Sequence, residues 1–287
     1  MLIKTVINLR AMVGAKTLEQ IGFLGFDIDG TIIDTDMSTP GSAKYKESSL
    51  IVKEFTGVDP EPNSFNKFYA NLIARTAGVP SEQASILFAE LMHQYFNVQV
   101  PNLENFIAYR SKLRKKTYAT LAEFIGNGSL HSGHWLSSLP ASLQEKAYIV
   151  TSTKRDVVQL LDENEQLRIR GKPFSDFFGG RIVYGDQVLG TGEVIERNKP
   201  DPESYNKALA LAVPGITSRG YVGIAFEDSK NGVMAAHTAR YGSGRLYVVG
   251  IETTLSGKEL RNDGADDSYP ALYTIDLEEL CEHYLSG

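Results

Sequence analysis

The chain has 287 residues, 42% of them apolar and 22% charged, which points to one large domain or two smaller ones at roughly 100–200 residues per domain. A chain of this size buries about 75% of the surface its unfolded form exposes and needs no disulfide or structural metal. The single Cys281 excludes an intramolecular disulfide framework and a multi-cysteine zinc site, and suits a reducing, cytoplasmic setting. With 29 basic against 35 acidic residues the net charge is -6, which argues against nucleic acid or an anionic membrane as the main partner.

Residues 1–18 carry Lys4, Arg10 and Lys16 and no acid until Glu19. That pattern fits an organelle presequence faintly, or a short element packed on the core. No apolar run reaches the ~18–20 residues of a membrane-spanning helix. Apolar runs bounded by turn residues follow at Phe23–Ile28, Ala147–Thr151, Arg181–Tyr184, Tyr221–Phe226 and Leu246–Gly250, each short enough for a buried parallel strand. Helical spacing follows at Lys154–Leu161, Pro202–Leu211 and Asn231–Ala239. This alternation predicts an α/β fold with a Rossmann-like parallel sheet, ligands binding beyond the carboxyl ends of its strands.

Residues 35–136 interrupt the alternation. Phe65, Phe68, Tyr69, Leu72 and Ile73 share one helical face, as do Leu87, Phe88, Leu91, Met92 and Tyr95 in a run opening at Ser81. Leu103, Phe106, Ile107, Leu113, Leu121, Phe124 and Ile125 form a third, longer pattern. Three amphipathic helices inserted after the first strand predict an all-helical domain at 35–136 and a discontinuous α/β core at 1–34 and 137–287.

The first strand ends in Phe26-Asp27-Ile28-Asp29-Gly30-Thr31. Carboxylates two apart on an extended chain point to one side, and two like charges together call for a metal or an acid/base role. Alone, Asp-x-Asp-Gly is also a turn or a fragment of a calcium loop. The second strand ends in Thr151-Ser152, Lys199 precedes a helix that opens with proline, and the fourth apolar run ends in Glu227-Asp228. One sheet edge thus collects acids, hydroxyls and a lysine, the parts needed to neutralise, hold and transfer a phosphoryl group. A hard cation such as Mg²⁺ suits the oxygen ligands. Neither a dinucleotide-binding glycine turn nor a P-loop is present.

Taken in order, Asp27-Ile28-Asp29-Gly30-Thr31, Thr151, Lys199-Pro200-Asp201-Pro202 and Glu227-Asp228-Ser229 through Gly232 resemble the four motifs of the haloacid dehalogenase-like (HAD) superfamily. The branch they resemble is that of phosphoglycolate phosphatase and β-phosphoglucomutase, and the insertion at 35–136 fits its helical cap in position. The resemblance implies that Asp27 is the nucleophile, that Asp29 is the acid/base, and that Thr151, Ser152 and Lys199 bind phosphate. It implies Mg²⁺ held by Asp27, the backbone carbonyl of Asp29, Glu227 and Asp228. The expected activity is hydrolysis of a small phosphorylated metabolite; the alternatives are a sugar-phosphate phosphomutase and a non-catalytic phosphometabolite-binding protein.

Substrate choice is expected to lie in the cap. Arg110 belongs to a basic run with Lys112, Arg114, Lys115 and Lys116 that either attracts an anion or forms a solvated helix face. His131 and His134, near the return from cap to core, are further candidates for substrate contact. Gly179–Glu196 reads as an extra hairpin or loop, within the 47 residues between Thr151 and Lys199.

Overall fold

The computed structural model describes residues 18–33, 42–76, 79, 81–119, 127–189, 191, 193–212, 222–242 and 244–280. The presequence-like residues 1–17, Leu121, Phe124 and Ile125 of the third insertion pattern, and Cys281 lie outside them.

Six parallel strands form the core sheet: β1 (Ile21–Phe26), β2 (Ala147–Val150), β3 (Ile182–Val183), β4 (Val222–Glu227), β7 (Tyr247–Ile251) and β8 (Asp267–Tyr269), in the order β3-β2-β1-β4-β7-β8. β5 (Arg240–Tyr241) and β6 (Gly244–Arg245) form a separate antiparallel pair. Every residue of β1, β2, β4 and β7 is buried, which explains why these strands read as continuous apolar runs rather than alternating ones. The register places Phe26 opposite both Ile149 and Phe226. The residues following β1, β2 and β4 therefore emerge side by side, at the point where strand order reverses between β1 and β4, the usual position of a ligand site in such sheets.

The insertion holds four long helices: α1 (Ala43–Thr56), α2 (Pro62–Thr76), α3 (Ser81–Phe96) and α4 (Leu103–Ala119). The last three carry the first two helical patterns and the third as far as Leu113, whereas α1 was not expected. Ser42 caps α1 by accepting a hydrogen bond from the Tyr45 N–H, and Gly57 ends it at φ 75°, the left-handed geometry that glycine adopts without strain. The four helices share a core of their own in which Phe65, Phe68, Tyr69, Phe88 and Phe106 are buried.

α5 (Asn127–Ser138) returns the chain to the sheet. Leu136 is buried in the same cluster as Phe26 and Phe226, and the Trp135 indole N–H donates to the Ile275 carbonyl at 2.9 Å. The end of the expected insertion is thus already packed on the α/β core. α6 (Ala141–Gln144) precedes β2, and beyond it come α7 (Arg155–Val158), α8 (Phe174–Phe178), α9 (Glu203–Ala212), α10 (Lys230–Thr238) and α11 (Gly257–Asn262). The Gly179–Glu196 stretch forms β3 and isolated antiparallel bridges Val183 to Val188 and Gln187 to Val194, so it is a folded excursion at the sheet edge. Among the described residues no helix is long and apolar enough to cross a membrane.

Candidate active site

Asp27 is the first residue past β1. Its N–H still donates to the Phe226 carbonyl at 3.1 Å, after which the N–H groups of Thr31, Ile32 and Ile33 all turn back to the Ile28 carbonyl. Gly30 makes this turn at φ +83°, and a Cβ there would lie 2.0 Å from Asp228 Oδ2. Glycine is thus required both for the backbone angle and for the approach of the acidic loop after β4.

Lys199, in the loop before α9, reaches into the sheet edge. Its Nζ donates to Asp27 Oδ1 at 2.7 Å, to Glu227 Oε1 at 2.6 Å and to the Val150 carbonyl at 2.8 Å. All three N–H bonds of the ammonium are thereby used. The Tyr205 hydroxyl on α9 donates to the same Glu227 Oε1 at 2.5 Å. The Thr153 hydroxyl donates to Asp29 Oδ2 at 2.6 Å, and its N–H donates to Thr151 Oγ1 at 3.1 Å. Thr254 donates its hydroxyl to Asp228 Oδ2. Ser229 caps α10 by accepting from the Gly232 N–H.

These groups share little water. Burial pushes Glu227 up to about 7 against the opposing pull of Lys199. Burial also raises Asp27, with Lys199 opposing and the charge of Asp29 adding to the rise. Burial disfavours the Lys199 charge, but Asp27 and Glu227 outweigh it and hold the ammonium above its ordinary value.

Asp27, Glu227 and Asp228 each place a carboxylate oxygen within 4.8 Å of the others'. Asp29 is not in that carboxylate cluster. Glu227 Oε2 is buried with no hydrogen-bond partner, and a Cβ on Gly232 would lie 1.8 Å from it. An orphaned buried carboxylate oxygen beside two further acids, with Lys199 the ammonium bonded among them, fits a hard divalent cation. Ser152 Oγ and Thr31 Oγ1 are likewise buried without hydrogen-bond partners.

A cavity of about 420 Å³ separates the sheet edge from the helical insertion. Asp27, Asp29, Thr151, Ser152, Lys199 and Asp228 line it from the core, and Lys44, Ile73, Glu82, Ile107, Arg110 and Arg114 from the insertion. The basic run on α4 therefore divides. Arg110 and Arg114 face the cavity, while Lys112 and Lys116 are exposed and the exposed Lys115 pairs with Asp156 of the core at 2.5 Å. His134 is not brought to this cavity: it is exposed and lines a different hollow, with Arg168, Arg170 and Phe174, because α5 packs on the sheet away from the strand ends. The side chain of His131 lies outside the described residues.

Tyr205, Thr153 and Thr254 were not anticipated. Thr153 was findable, since it follows the two hydroxyl residues at the end of β2. Tyr205 lies three residues past Pro202, on the face that α9 buries. Thr254 arrives from the loop after β7 and has no local pattern.

No family model and no curated protein matches the sequence. Solved structures do match. A haloacid dehalogenase-like protein of unknown function from Agrobacterium tumefaciens aligns over 92% of this chain and 99% of its own, at 16% identity and a TM-score of 0.60. A β-phosphoglucomutase from Clostridium difficile aligns over 93% and 100%, at 19% identity and TM-score 0.55. A HAD family hydrolase from Deinococcus radiodurans, solved with bound phosphate and sodium, aligns over 93% and 97%, at 16% identity and TM-score 0.55. At these identities the likeness is one of fold, and it spans nearly the whole of each chain: the protein has the haloacid dehalogenase-like fold, a Rossmann-like parallel-sheet core with a helical insertion after its first strand.

Proposed function

We propose that the protein is a cytoplasmic Mg²⁺-dependent phosphatase that hydrolyses a small phosphorylated metabolite through an aspartyl-phosphate on Asp27. The observation that carries this reading is the convergence, on one wall of one cavity, of Asp27, Asp29, Thr151, Ser152, Lys199 and Asp228, with Glu227 in the same carboxylate cluster as Asp27 and Asp228. The hydrolase of the same fold that was solved with bound phosphate supports it.

Lys199 fixes Asp27 Oδ1 and thereby orients the carboxylate for in-line attack on phosphorus. Asp29, held by Thr153, gives a proton to the departing alcohol oxygen. The same carboxylate then takes a proton from the water that cleaves the aspartyl-phosphate. Lys199, exchanging one of its three present bonds for a phosphoryl oxygen, and the hydroxyls of Thr151 and Ser152 hold the phosphoryl group. Asp27, Glu227, Asp228 and the Asp29 carbonyl would hold Mg²⁺, which when bound neutralises the negative charge of the phosphoryl group. The cavity roof from α4 limits water and shapes the alcohol site.

A phosphomutase uses the same groups and passes the phosphoryl to a second sugar hydroxyl, a reading favoured by the fold shared with a β-phosphoglucomutase. The test is a metabolite screen with and without Mg²⁺, comparing wild type with Asp27→Asn. Release of inorganic phosphate that requires both Mg²⁺ and Asp27 supports the phosphatase. Isomerised hexose phosphate without net release points to the mutase, and undiminished turnover by Asp27→Asn refutes the nucleophile. A wild type that binds but never turns over substrate is a binding protein.

A further inference from the structure

The loop that follows β7 has no part in the chemistry just described, yet it touches the acidic cluster and its neighbouring turn. Thr254 donates its hydroxyl to Asp228 Oδ2, and the adjacent Thr253 donates its own to the Gly30 carbonyl at 2.5 Å. Consecutive hydroxyls of one loop thus reach oxygens that belong to two other strand ends, those of β4 and β1. The acceptors lie together: a Cβ on Gly30 would meet Asp228 Oδ2 at 2.0 Å and Thr253 Oγ1 at 3.2 Å.

The loop is held on both sides. The Glu252 N–H donates to the Tyr269 carbonyl of β8 and the Thr253 N–H to the Ile251 carbonyl, each at 2.9 Å. Ser256 then caps α11 in a reciprocal capping box with Glu259, a motif that fixes how the chain enters a helix. The two hydroxyls are therefore presented from a short span between anchors.

Each acts on a different group. Asp228 is 1% exposed, and a donor on one of its oxygens limits rotation of the carboxylate. Thr253 acts through the backbone. The Gly30 N–H donates to the Ile33 carbonyl at 2.7 Å, and the Thr31 N–H to the Ile28 carbonyl at 3.3 Å. Because a peptide group is planar, the first of these bonds also fixes the Asp29 carbonyl, which shares its plane. The next plane, Gly30 to Thr31, has only the long 3.3 Å bond on its N–H side, and the glycine between the planes offers little restraint of its own. Thr253 supplies the missing restraint from the carbonyl side.

We propose that Thr253 and Thr254 are positioning residues for the cation: Thr254 sets the Asp228 carboxylate, and Thr253 sets the turn that carries the Asp29 carbonyl. This rests on the reading of Asp27, Glu227, Asp228 and the Asp29 carbonyl as the Mg²⁺ ligands. Partners of this kind orient ligands without touching the metal, and their loss is felt as affinity.

Calorimetric Mg²⁺ binding to the substrate-free protein tests it. Thr254→Val should weaken binding about 10- to 100-fold and Thr253→Val about tenfold, whereas Thr254→Ser, which keeps the donor, should stay within about threefold of wild type. Thr274→Val is the control: it loses a comparable bond, from its hydroxyl to the Ala271 carbonyl at 2.7 Å, and should leave Mg²⁺ affinity unchanged. A Thr254→Val protein that melts lower but binds Mg²⁺ like wild type shows a hydroxyl serving the fold alone, and overturns the proposal. A Thr254→Ser protein that binds as weakly as Thr254→Val does the same, and wild-type affinity in Thr253→Val removes the backbone half. Should Thr254→Val not fold, Thr254→Cys carries the test against Thr254→Ser, because the thiol is the weaker donor: its affinity must be the lower by several-fold.

Binding and turnover separate the two layers of inference. If wild type binds Mg²⁺ and hydrolyses nothing, while Thr254→Val loses binding, the positioning stands and the phosphatase reading fails. Mg²⁺-dependent hydrolysis with equal Mg²⁺ affinity in every variant gives the reverse. A wild type that binds no Mg²⁺ overturns both.

Discussion

Tyr205→Phe removes one oxygen from the centre of the acidic cluster. The hydroxyl sits in a fully buried side chain and donates to Glu227 Oε1 at 2.5 Å. A hydrogen bond to a charged acceptor contributes about 1.5–3 kcal/mol. Here Oε1 also accepts from Lys199 at 2.6 Å, so it is not left orphaned, which places the loss in the lower half of that range, about 1.5–2 kcal/mol. At roughly 2–4 °C per kcal/mol for a domain of this size, the metal-free melting temperature should fall by about 3–8 °C.

On the proposed function the same substitution also loosens a carboxylate that would hold Mg²⁺. Loss of a group that orients a metal ligand weakens metal affinity by about 10–100-fold. The Mg²⁺ concentration giving half-maximal activity should rise accordingly, while KM for the phosphate ester stays near wild type. Scanning calorimetry without metal and a Mg²⁺ titration of turnover read the two effects separately. A melting temperature within 1 °C of wild type, together with an unchanged Mg²⁺ requirement, would show that the hydroxyl does not hold Glu227, and would refute the chain of reasoning from α9 to the acidic cluster.

Three further outcomes follow from the same geometry. Ser152→Ala removes a buried hydroxyl that has no partner, so thermal stability should stay level or rise by up to about 1 kcal/mol, while inhibition by inorganic phosphate weakens several-fold. Gly232→Ala places a Cβ 1.8 Å from Glu227 Oε2 and 2.4 Å from its Cδ; because that carboxylate is pinned, the cost should lie near the upper end of the about 1–3 kcal/mol of overpacking, with loss of Mg²⁺-dependent stabilisation in a melting series. Glu227 has a folded pKa raised from 4.5 to about 7, so its contribution is fully present below pH 4.5 and is lost as pH rises through about 7. Without metal, wild type should therefore lose stability relative to Glu227→Gln across that window, as measured by denaturant titration at successive pH values; a constant difference would refute the burial of Glu227, and saturating Mg²⁺ should reverse the trend.

The parts of the site legible in the sequence are those where strand chemistry and turn chemistry coincide. Asp27-Ile28-Asp29-Gly30 could be read because a fully buried strand admits no carboxylate except at its end, and because the glycine that follows has a reason to be there. Thr151, Lys199 and Glu227-Asp228 were legible for the same cause, each closing an apolar run or opening a helix. β8, by contrast, is Asp-Ser-Tyr at the sheet edge and carries no apolar signal. α1 was hidden because part of its inward face is polar: Glu47 and Ser48 are buried, Glu47 through its pairing with Arg114 across 67 positions, so the helical period is masked to any count of apolar residues.

That distinction runs through the cavity itself. The core wall is built from short segments at strand ends, where local pattern and chemistry agree. The roof is built from residues such as Lys44, Glu82 and Arg110, whose neighbours are set only when α1, α3 and α4 pack together. On α4, Arg110 and Lys112 are two apart and carry the same charge, yet one is buried against Phe88 and Ser85 and the other is exposed. Composition cannot separate them; a helical turn of about 100° per residue does, once the buried position of Phe106, four residues before Arg110, marks which face is inward. The chemistry of the core wall is therefore carried by strand ends and can be read one segment at a time. The groups that would choose a substrate sit on helix faces, and their roles follow from what each face is packed against.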